Sequence, residues 1–195
     1  MDVVPVADEI HLRNGARLLV RPIRPADADA LVALHARLSA DTIYRRYFGA
    51  RPHLAPADVD RFTRVDGRAR FALVAMRGSD LVAVARYEGR PGDLSAELAV
   101  VVDDALQHQG VGRRLLERLL DVAREAGLGE LAADGLAGNA ALLSLLRTLD
   151  LPRRTESDGD TVTVYVDLSG PEPPTERRER ARRHLAEAGP AASPA

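Results

Sequence analysis

The chain of 195 residues contains no cysteine, and none of its 27 basic residues is a lysine. Without cysteine there is no disulfide, no thiolate metal site and no cysteine nucleophile. Arginine used exclusively, beside abundant alanine, glycine and proline, fits a biased genome. Its physical consequence is a chain without a single side-chain amine. No apolar run approaches the roughly 18 residues of a membrane span, and the acidic opening "MDVVPVADEIHLRNG" lacks the basic start and apolar stretch of a signal peptide. A soluble, cytoplasmic protein with no membrane partner is the expectation. The formal net charge of −2 gives no electrostatic reason to expect nucleic acid as a partner. The histidines at 11, 35, 53, 108 and 184 show no metal-ligand spacing, so no metal is expected.

What is present suits one folded domain. Hydrophobic residues make up 46% of the chain, enough for a sizeable core at this length. Asn14-Gly15, between "EIHL" and "ARLLVRPI", predicts a hairpin with a two-residue type I′ turn. Ala28, Leu31, Leu34 and Leu38 recur at helical spacing after Pro25. Ser39 is placed to cap a second helix that Gly49 would end, and Pro56 opens a third. "RFALVAM", "LVAVARYEG" and "SAELAVVV" then read as strands. A long amphipathic helix follows from about Gly110 to Ala126, then a strand near "GELAADGL", a helix near "NAALLSLLRTL" and a last strand "TVTVYVDL". This order predicts an α/β (α+β) sheet with a parallel crossover in its C-terminal half. Residues 1–169 form the expected single domain. Residues 170–195, rich in proline and charge, are expected to be a flexible tail, with at most a short helix and a solvated "ERRERARR" face.

The informative stretch is "LQHQGVGRRLLERLL", where Gly110 and Gly112 stand at the start of an apolar helical pattern that follows a strand. The first N–H groups of a helix have no internal acceptor, and the helix dipole leaves positive charge behind them. Glycine lets phosphate oxygens approach such a terminus closely. Arg113 and Arg114 add positive charge beside it. Close helix–sheet packing is the other use glycine has there. The spacing matches neither a P-loop nor a dinucleotide fingerprint.

Taken whole, Gln107-His108-Gln109-Gly110-Val111-Gly112 resembles the Q/R-x-x-G-x-G/A pyrophosphate loop of the GNAT superfamily of acyl-CoA N-acyltransferases. "ELAVVV" stands where that family has its fourth strand, and "LAGNAALLSLLRTLDL" where it runs from its fifth strand into a helix. The run from "LRNGARLLVRPIRPADADALVALHARLSADTIYRRYFG" to "SAELAVVVDDALQHQGVGRRLLERL" is most similar to the acetyltransferase domain of bacterial protein lysine acetyltransferases. The resemblance implies a central, mixed but mostly antiparallel twisted sheet flanked by helices, with the family's strands four and five splayed apart. It implies acetyl-CoA as the acyl donor, with Gln107 through Arg113 around its pyrophosphate and Val100, Val101 and Val102 along its pantetheine arm. It also implies a protein substrate bearing the acceptor lysine, such as an acyl-CoA synthetase. Such domains are often fused to a regulatory domain; the chain after Leu168 is too short for one, so regulation of that kind is not expected.

Acetyl transfer needs a neutral amine, and a lysine with pKa near 10.4 is almost entirely charged at pH 7. Glu97, the lone acid of "SAELAVVV" and ten positions before Gln107, matches the family's strand-four glutamate and is the candidate general base. Partial burial would raise its pKa and suit it to the role. A rim carboxylate, or one paired with Arg86, is the alternative. Backbone N–H groups around Ala99 to Val101 are candidates to polarise the thioester carbonyl. Asn139 resembles the family asparagine that bonds the cofactor, and also reads as an N-cap. His108 is either an anion contact or a solvated loop residue. Tyr44, Tyr47 and Phe48 fall where the family binds its acceptor, although aromatics at such positions also serve as core. The family tyrosine that protonates the thiolate is here Leu146, and its Gly-Phe is Asp150-Leu151. Ser144 is either placed to reach the sulfur or an ordinary helix-surface serine, and a thiolate of pKa near 8.5 also leaves unassisted. No general acid is assigned. An acetyltransferase of small amines and a non-catalytic acyl-CoA sensor are the competing functions.

Overall fold

A computed structural model describes residues 8–171 and 173–188. Eight strands form one sheet in the order β1-β2-β3-β4-β5-β6-β8-β7. The N-terminal hairpin pairs β1 (Asp8–His11) with β2 (Arg17–Pro22). Its turn is not the two-residue type expected from Asn14-Gly15. Leu12 and Ala16 close it through an N–H to oxygen bond of 2.9 Å, and of the turn residues only Gly15 takes positive φ, at 82°. That is a three-residue loop with glycine in the left-handed place.

After one 3₁₀ turn at Pro25–Asp27 come α1 (Ala28–Arg37), α2 (Ala40–Tyr47) and α3 (Pro56–Thr63). Ser39 caps α2 as expected, its hydroxyl accepting from the Thr42 N–H at 3.2 Å. Gly49 does not end that helix: Phe48 takes the left-handed position itself, at φ 56°, one residue earlier. Strands β3 (Arg70–Arg77), β4 (Asp80–Glu88) and β5 (Ser95–Val102) continue the antiparallel sheet. The helix α4 (Val111–Glu125) crosses over to β6 (Glu130–Leu136), which pairs parallel with β5. Then follow α5 (Ala140–Arg147), β7 (Arg153–Asp158), β8 (Thr161–Asp167) and α6 (Thr175–Ala188).

Alternation along the strands divides the core in two. Leu73, Ala85, Leu98 and Leu131 pack with Leu115, Leu116 and Leu119 of α4 on one face, joined by α5 and α6. Val74, Leu81, Leu31 and Leu34 form the second cluster, under α1 and α3 on the other face. Burying this apolar surface on both sides of a central sheet is the main stabilising term.

Two elements depart from the sequence reading. Strand β7 carries no apolar alternation, every residue of it being exposed, and is held by backbone pairing with β8 and by Arg154 bonded to Glu130 of β6 at 3.3 Å. Within the expected flexible tail, residues 175–188 form α6, with Ala181 and His184 buried, while residues 189–195 lie outside the described residues. Arg177 grips Asp121 through two bonds of 2.8 Å, and His184 lies 3.2 Å from Asp8. The "ERRERARR" run is thus partly a docking face, its Arg178 and Arg182 both bonded to Glu125 of α4.

Candidate acetyl-transfer site

Strands β5 and β6 pair over only three positions, Ser95 with Glu130, Ala96 with Leu131 and Glu97 with Ala132. Past Glu97 the two strands part, and β6 goes on with β8 while β5 stays with β4. The edge of β5 from Leu98 to Val102 that faces β6 therefore has no strand partner, leaving backbone amides and carbonyls open to an extended ligand. These are the splayed strands that the resemblance implies, β5 and β6 in the present numbering.

The open edge leads to the loop before α4. Gly110 takes φ 83° as the N-cap, a conformation that only glycine adopts without strain. The first bond of the helix runs from the Arg114 N–H to the Gly110 oxygen, at 3.1 Å. The N–H groups of Val111, Gly112 and Arg113 precede it and find no acceptor among the described residues. A Cβ built on Gly110 would meet nothing within 4 Å, whereas one on Gly112 would stand 3.4 Å from both Val102 and Leu145. Gly112 thus serves close packing and open backbone together. Val111 presents only its backbone, since its side chain is 1% exposed in the core. Arg113 is bonded to Glu117 at 2.8 Å and Arg114 to the His11 carbonyl at 3.0 Å. His108 is exposed and left-handed, at φ 58°.

Gln107 and Gln109 bond back onto the chain to shape this loop. The amide of Gln107 donates to Thr42 and to the Val102 carbonyl, both at 3.2 Å, and that of Gln109 to the Ala105 carbonyl at 2.9 Å. Asp104 completes the clamp by accepting from Thr42 Oγ1 at 2.7 Å and Ser39 Oγ at 2.9 Å. These hydrogen bonds, with burial opposing them, hold the Asp104 carboxyl below its ordinary pKa. The N-terminus of α2 is in this way tied to the loop that opens α4.

Asn139 is 8% exposed and caps α5, its Oδ1 accepting from the Leu142 N–H at 3.1 Å. Its amide nitrogen makes no hydrogen bond among the described residues and is left to donate elsewhere. Leu146 is 1% exposed within the core, while Ser144 is exposed.

On the opposite face of β5, Glu97, Ala99 and Val101 stand in line, since side chains alternate along a strand. Glu97 is exposed, which corrects the partial burial expected for it. It lies opposite Glu88 in the pairing of β4 with β5. It has no ion pair among the described residues, whereas Glu88 is held by Arg61. Above Ala99 and Val101 lies a small cleft of about 30 Å³, closed by α1, α2 and α3. Tyr47 lines it, in edge contact with His35 at 5.7 Å. Tyr44 and Phe48 do not: they are 51% and 43% exposed on the outside of α2.

Sequence reasoning missed Arg46 in this cleft and named Arg86 only as an alternative partner of Glu97. Arg86 lies over the Phe62 ring at 3.6 Å. Burial, with Arg46 nearby, pulls its pKa down to about 10, against the opposing pull of Glu88, Tyr47 and Glu97. An arginine inside the otherwise apolar "LVAVARYEG" was the available signal.

The splayed strands, the open strand edge and the bare helix N-terminus together define an acyl-CoA-dependent acetyltransferase site. Residues 38–150 match the acetyltransferase (GNAT) family, and the chain belongs to it. It is an N-acetyltransferase that uses acetyl-CoA as acyl donor.

Particular relatives bear this out. The GNAT domain of the Streptomyces lividans protein PAT superposes with a TM-score of 0.77 at 31% identity, covering 86% of this chain and 99% of that one. An acetyltransferase of Pseudomonas aeruginosa is 28% identical over 158 residues, which are 79% of this chain and 85% of the relative. The acetyltransferase Pat of Mycolicibacterium smegmatis is 28% identical over 144 residues, 72% of this chain but only 43% of that protein's length. The fold recurs in yncA of Salmonella typhimurium, solved with its cofactor acetyl-CoA, at a TM-score of 0.64 and 21% identity, covering 80% of this chain and 97% of that one. No helix among the described residues is long and apolar enough to cross a membrane, and no group of three or more histidine or acidic side chains among them could hold a metal.

The residues present fit acetyl-CoA. Three free amides and the positive helix end suit a pyrophosphate, and the open edge of β5 along Val100 to Val102 suits an amide-bearing arm.

Proposed function

We propose that the protein acetylates lysine side chains of other proteins, in the cytoplasm, by direct transfer in a complex holding both substrates, with Glu97 as general base. The observation that carries this reading is the place of Glu97. It is the last residue of β5 that pairs with β6, so its carboxylate stands at the mouth of the split in the sheet. It is exposed and without an ion pair among the described residues, free to accept a proton directly or through a water. On the same face of β5, Ala99 and Val101 lead from it into the cleft under α2. An amine entering from that side meets the carboxylate before it meets the strand edge where the thioester would lie. Backbone N–H groups between Ala99 and Val101 stabilise the charge that develops on the carbonyl oxygen. Attack of the neutral amine on the thioester carbonyl forms the C–N bond, the proton it sheds passing to Glu97, and collapse of the tetrahedral adduct breaks the C–S bond and releases the thiol as thiolate. With Leu146 buried, the thiolate departs without a side-chain acid, which its pKa near 8.5 permits.

A protein acceptor is favoured over a small amine by the likeness to the PAT domain and by the exposed aromatics Tyr44 and Phe48 on the outside of α2 and at its cap. Asn139, with its free amide nitrogen, serves the cofactor from the α5 side, and His108 and Arg113 sit at the pyrophosphate end.

Replacement of Glu97 by glutamine tests the assignment. The variant keeps its acetyl-CoA affinity and loses about 10²–10⁴-fold in turnover, the span a positioned base supplies. The loss shrinks as pH rises and the acceptor becomes neutral unaided. A variant of wild-type rate at neutral pH, in an assay where chemistry limits turnover, removes Glu97 from the role.

A further inference from the structure

Arg46 and Arg86 differ from all other arginines of the described chain. Neither makes an ion pair or a hydrogen bond, and neither is exposed. The other described arginines that lack both, such as Arg13, Arg77 and Arg147, lie in solvent. Water serves those cations, whereas a guanidinium removed from water is costly unless an anion meets it. Within the cleft the only direct partners of the two are rings: Phe62 under Arg86 at 3.6 Å and Tyr47 under Arg46 at 5.0 Å.

The cleft is built to hold Arg86. Its cross-strand neighbours are Ala72 on β3 and Ala99 on β5, and both leave room for the guanidinium above the sheet. No aspartate or glutamate lines the cleft. Glu88, two residues along β4, is held by Arg61. Glu97 lies beyond Ala99 at the rim and is assigned above to the amine. Two cations therefore share a small, mostly apolar cleft whose lining holds no carboxylate, with Glu88 and Glu97 acting on Arg86 by charge from outside it.

We propose that this cleft is a subsite for a carboxylate carried by the acyl acceptor, bound by Arg86 and Arg46 while the acceptor amine lies at Glu97. The inference rests on the amine-acetyltransferase reading above and names the chemistry of its acceptor. A carboxylate is the anion that matches the lining, since two guanidinium groups with forked N–H donors border the cleft beside the apolar Leu34, Val84 and Val101. The carboxylate comes from an acidic residue flanking the acceptor lysine or from the α-carboxylate of a free amino acid. Both place the anion a few ångströms from the amine.

Calorimetry in the presence of CoA, where no transfer occurs, tests the proposal without relying on turnover. The probes are the blocked peptides Gly-Glu-Lys-Glu-Gly and Gly-Gln-Lys-Gln-Gly, and free lysine against lysine amide. Wild-type protein is expected to bind the acidic member of at least one pair about tenfold more tightly, as one or two charge-assisted hydrogen bonds give. The preferred pair identifies the source of the carboxylate. Arg86→Gln and Arg46→Gln each lower the preference while leaving CoA affinity unchanged, and Arg86→Lys restores part of it.

Equal binding within both pairs, including no binding at millimolar concentration, overturns the proposal, and so does a preference that survives both glutamine variants. Transfer that favours succinyl-CoA over acetyl-CoA through Arg86 puts the carboxylate on the donor and overturns it too. The two readings fail separately. A carboxylate preference without acetyl transfer refutes the catalytic reading alone; transfer without the preference refutes this subsite alone.

Discussion

Gly112 shows how much of this site depends on a missing side chain. Its Cα faces Val102 and Leu145, and its N–H is one of three that open α4 without an acceptor. Gly112→Asp puts bulk against both neighbours and a negative charge at the proposed pyrophosphate site. Acetyl-CoA affinity is expected to fall by about two orders of magnitude or more. Calorimetry checks this, and unchanged affinity contradicts the loop assignment. The loop was legible in the sequence because its chemistry is local: six consecutive residues carry the turn, the cap and the free amides. Glu97 was legible as the lone acid of an apolar strand, but its exposure was not, since that depends on where the covering helices stop. Arg46 and Arg86 were not legible as a pair, because α2 and β4 meet only through the fold. Of the three aromatics placed at the acceptor site, only Tyr47 enters the cleft, because the helical turn carries Tyr44 outward and Phe48 lies beyond the cap.

The elements of the sheet that carry apolar alternation were readable, and β7 was not, because an edge strand with both faces in solvent needs no apolar residue. Arg154 stacking on Tyr165 at 3.4 Å and the backbone pairing with β8 substitute for a buried face. The helix α6 was hidden for a different reason. Its composition is that of a solvated segment, and its docking runs through arginine pairs to acids 53 or more positions away. Asp8 gathers Arg118, with bonds of 2.7 and 2.9 Å, together with His184 at 3.2 Å and Arg180 at 3.9 Å.

Burial opposes ionisation there, but the bonds from His184 and Arg118 and the charges of Arg118 and Arg180 outweigh it, and the carboxyl falls from 3.8 to about 2. A depressed carboxyl contributes stability that is complete above its unfolded value and lost as pH falls through its folded one. For Asp8 the window runs from near pH 4 down to about 2, and the contribution at neutral pH is roughly 2 kcal/mol. Denaturation of Asp8→Asn is expected to show a less stable protein at pH 7 whose curve converges with that of wild type near pH 2. A constant gap over the whole range contradicts the assignment.

Across the whole molecule, the order of strands and helices was enough to foresee a mixed sheet with one parallel crossover, since α4 between two strands permits little else. The absence of lysine has its consequence at this scale. Incubated alone with acetyl-CoA, the chain of 195 residues is expected to gain at most one acetyl group on an amine, at its α-amino terminus of pKa near 7.7–8.0. Intact-mass measurement checks this, and two or more hydroxylamine-resistant additions contradict amine-specific transfer. The central claim, that Glu97 directs acetyl transfer to lysines of other proteins, meets its most direct test in a lysate. Purified wild-type protein and Glu97→Gln are incubated in parallel with isotopically labelled acetyl-CoA, and lysine acetylation is mapped by mass spectrometry. Labelled acetyl groups on a defined set of lysines, present with wild type and depleted with the variant, are the expected result. Labelling no greater with wild type than with the variant or with buffer alone would contradict it.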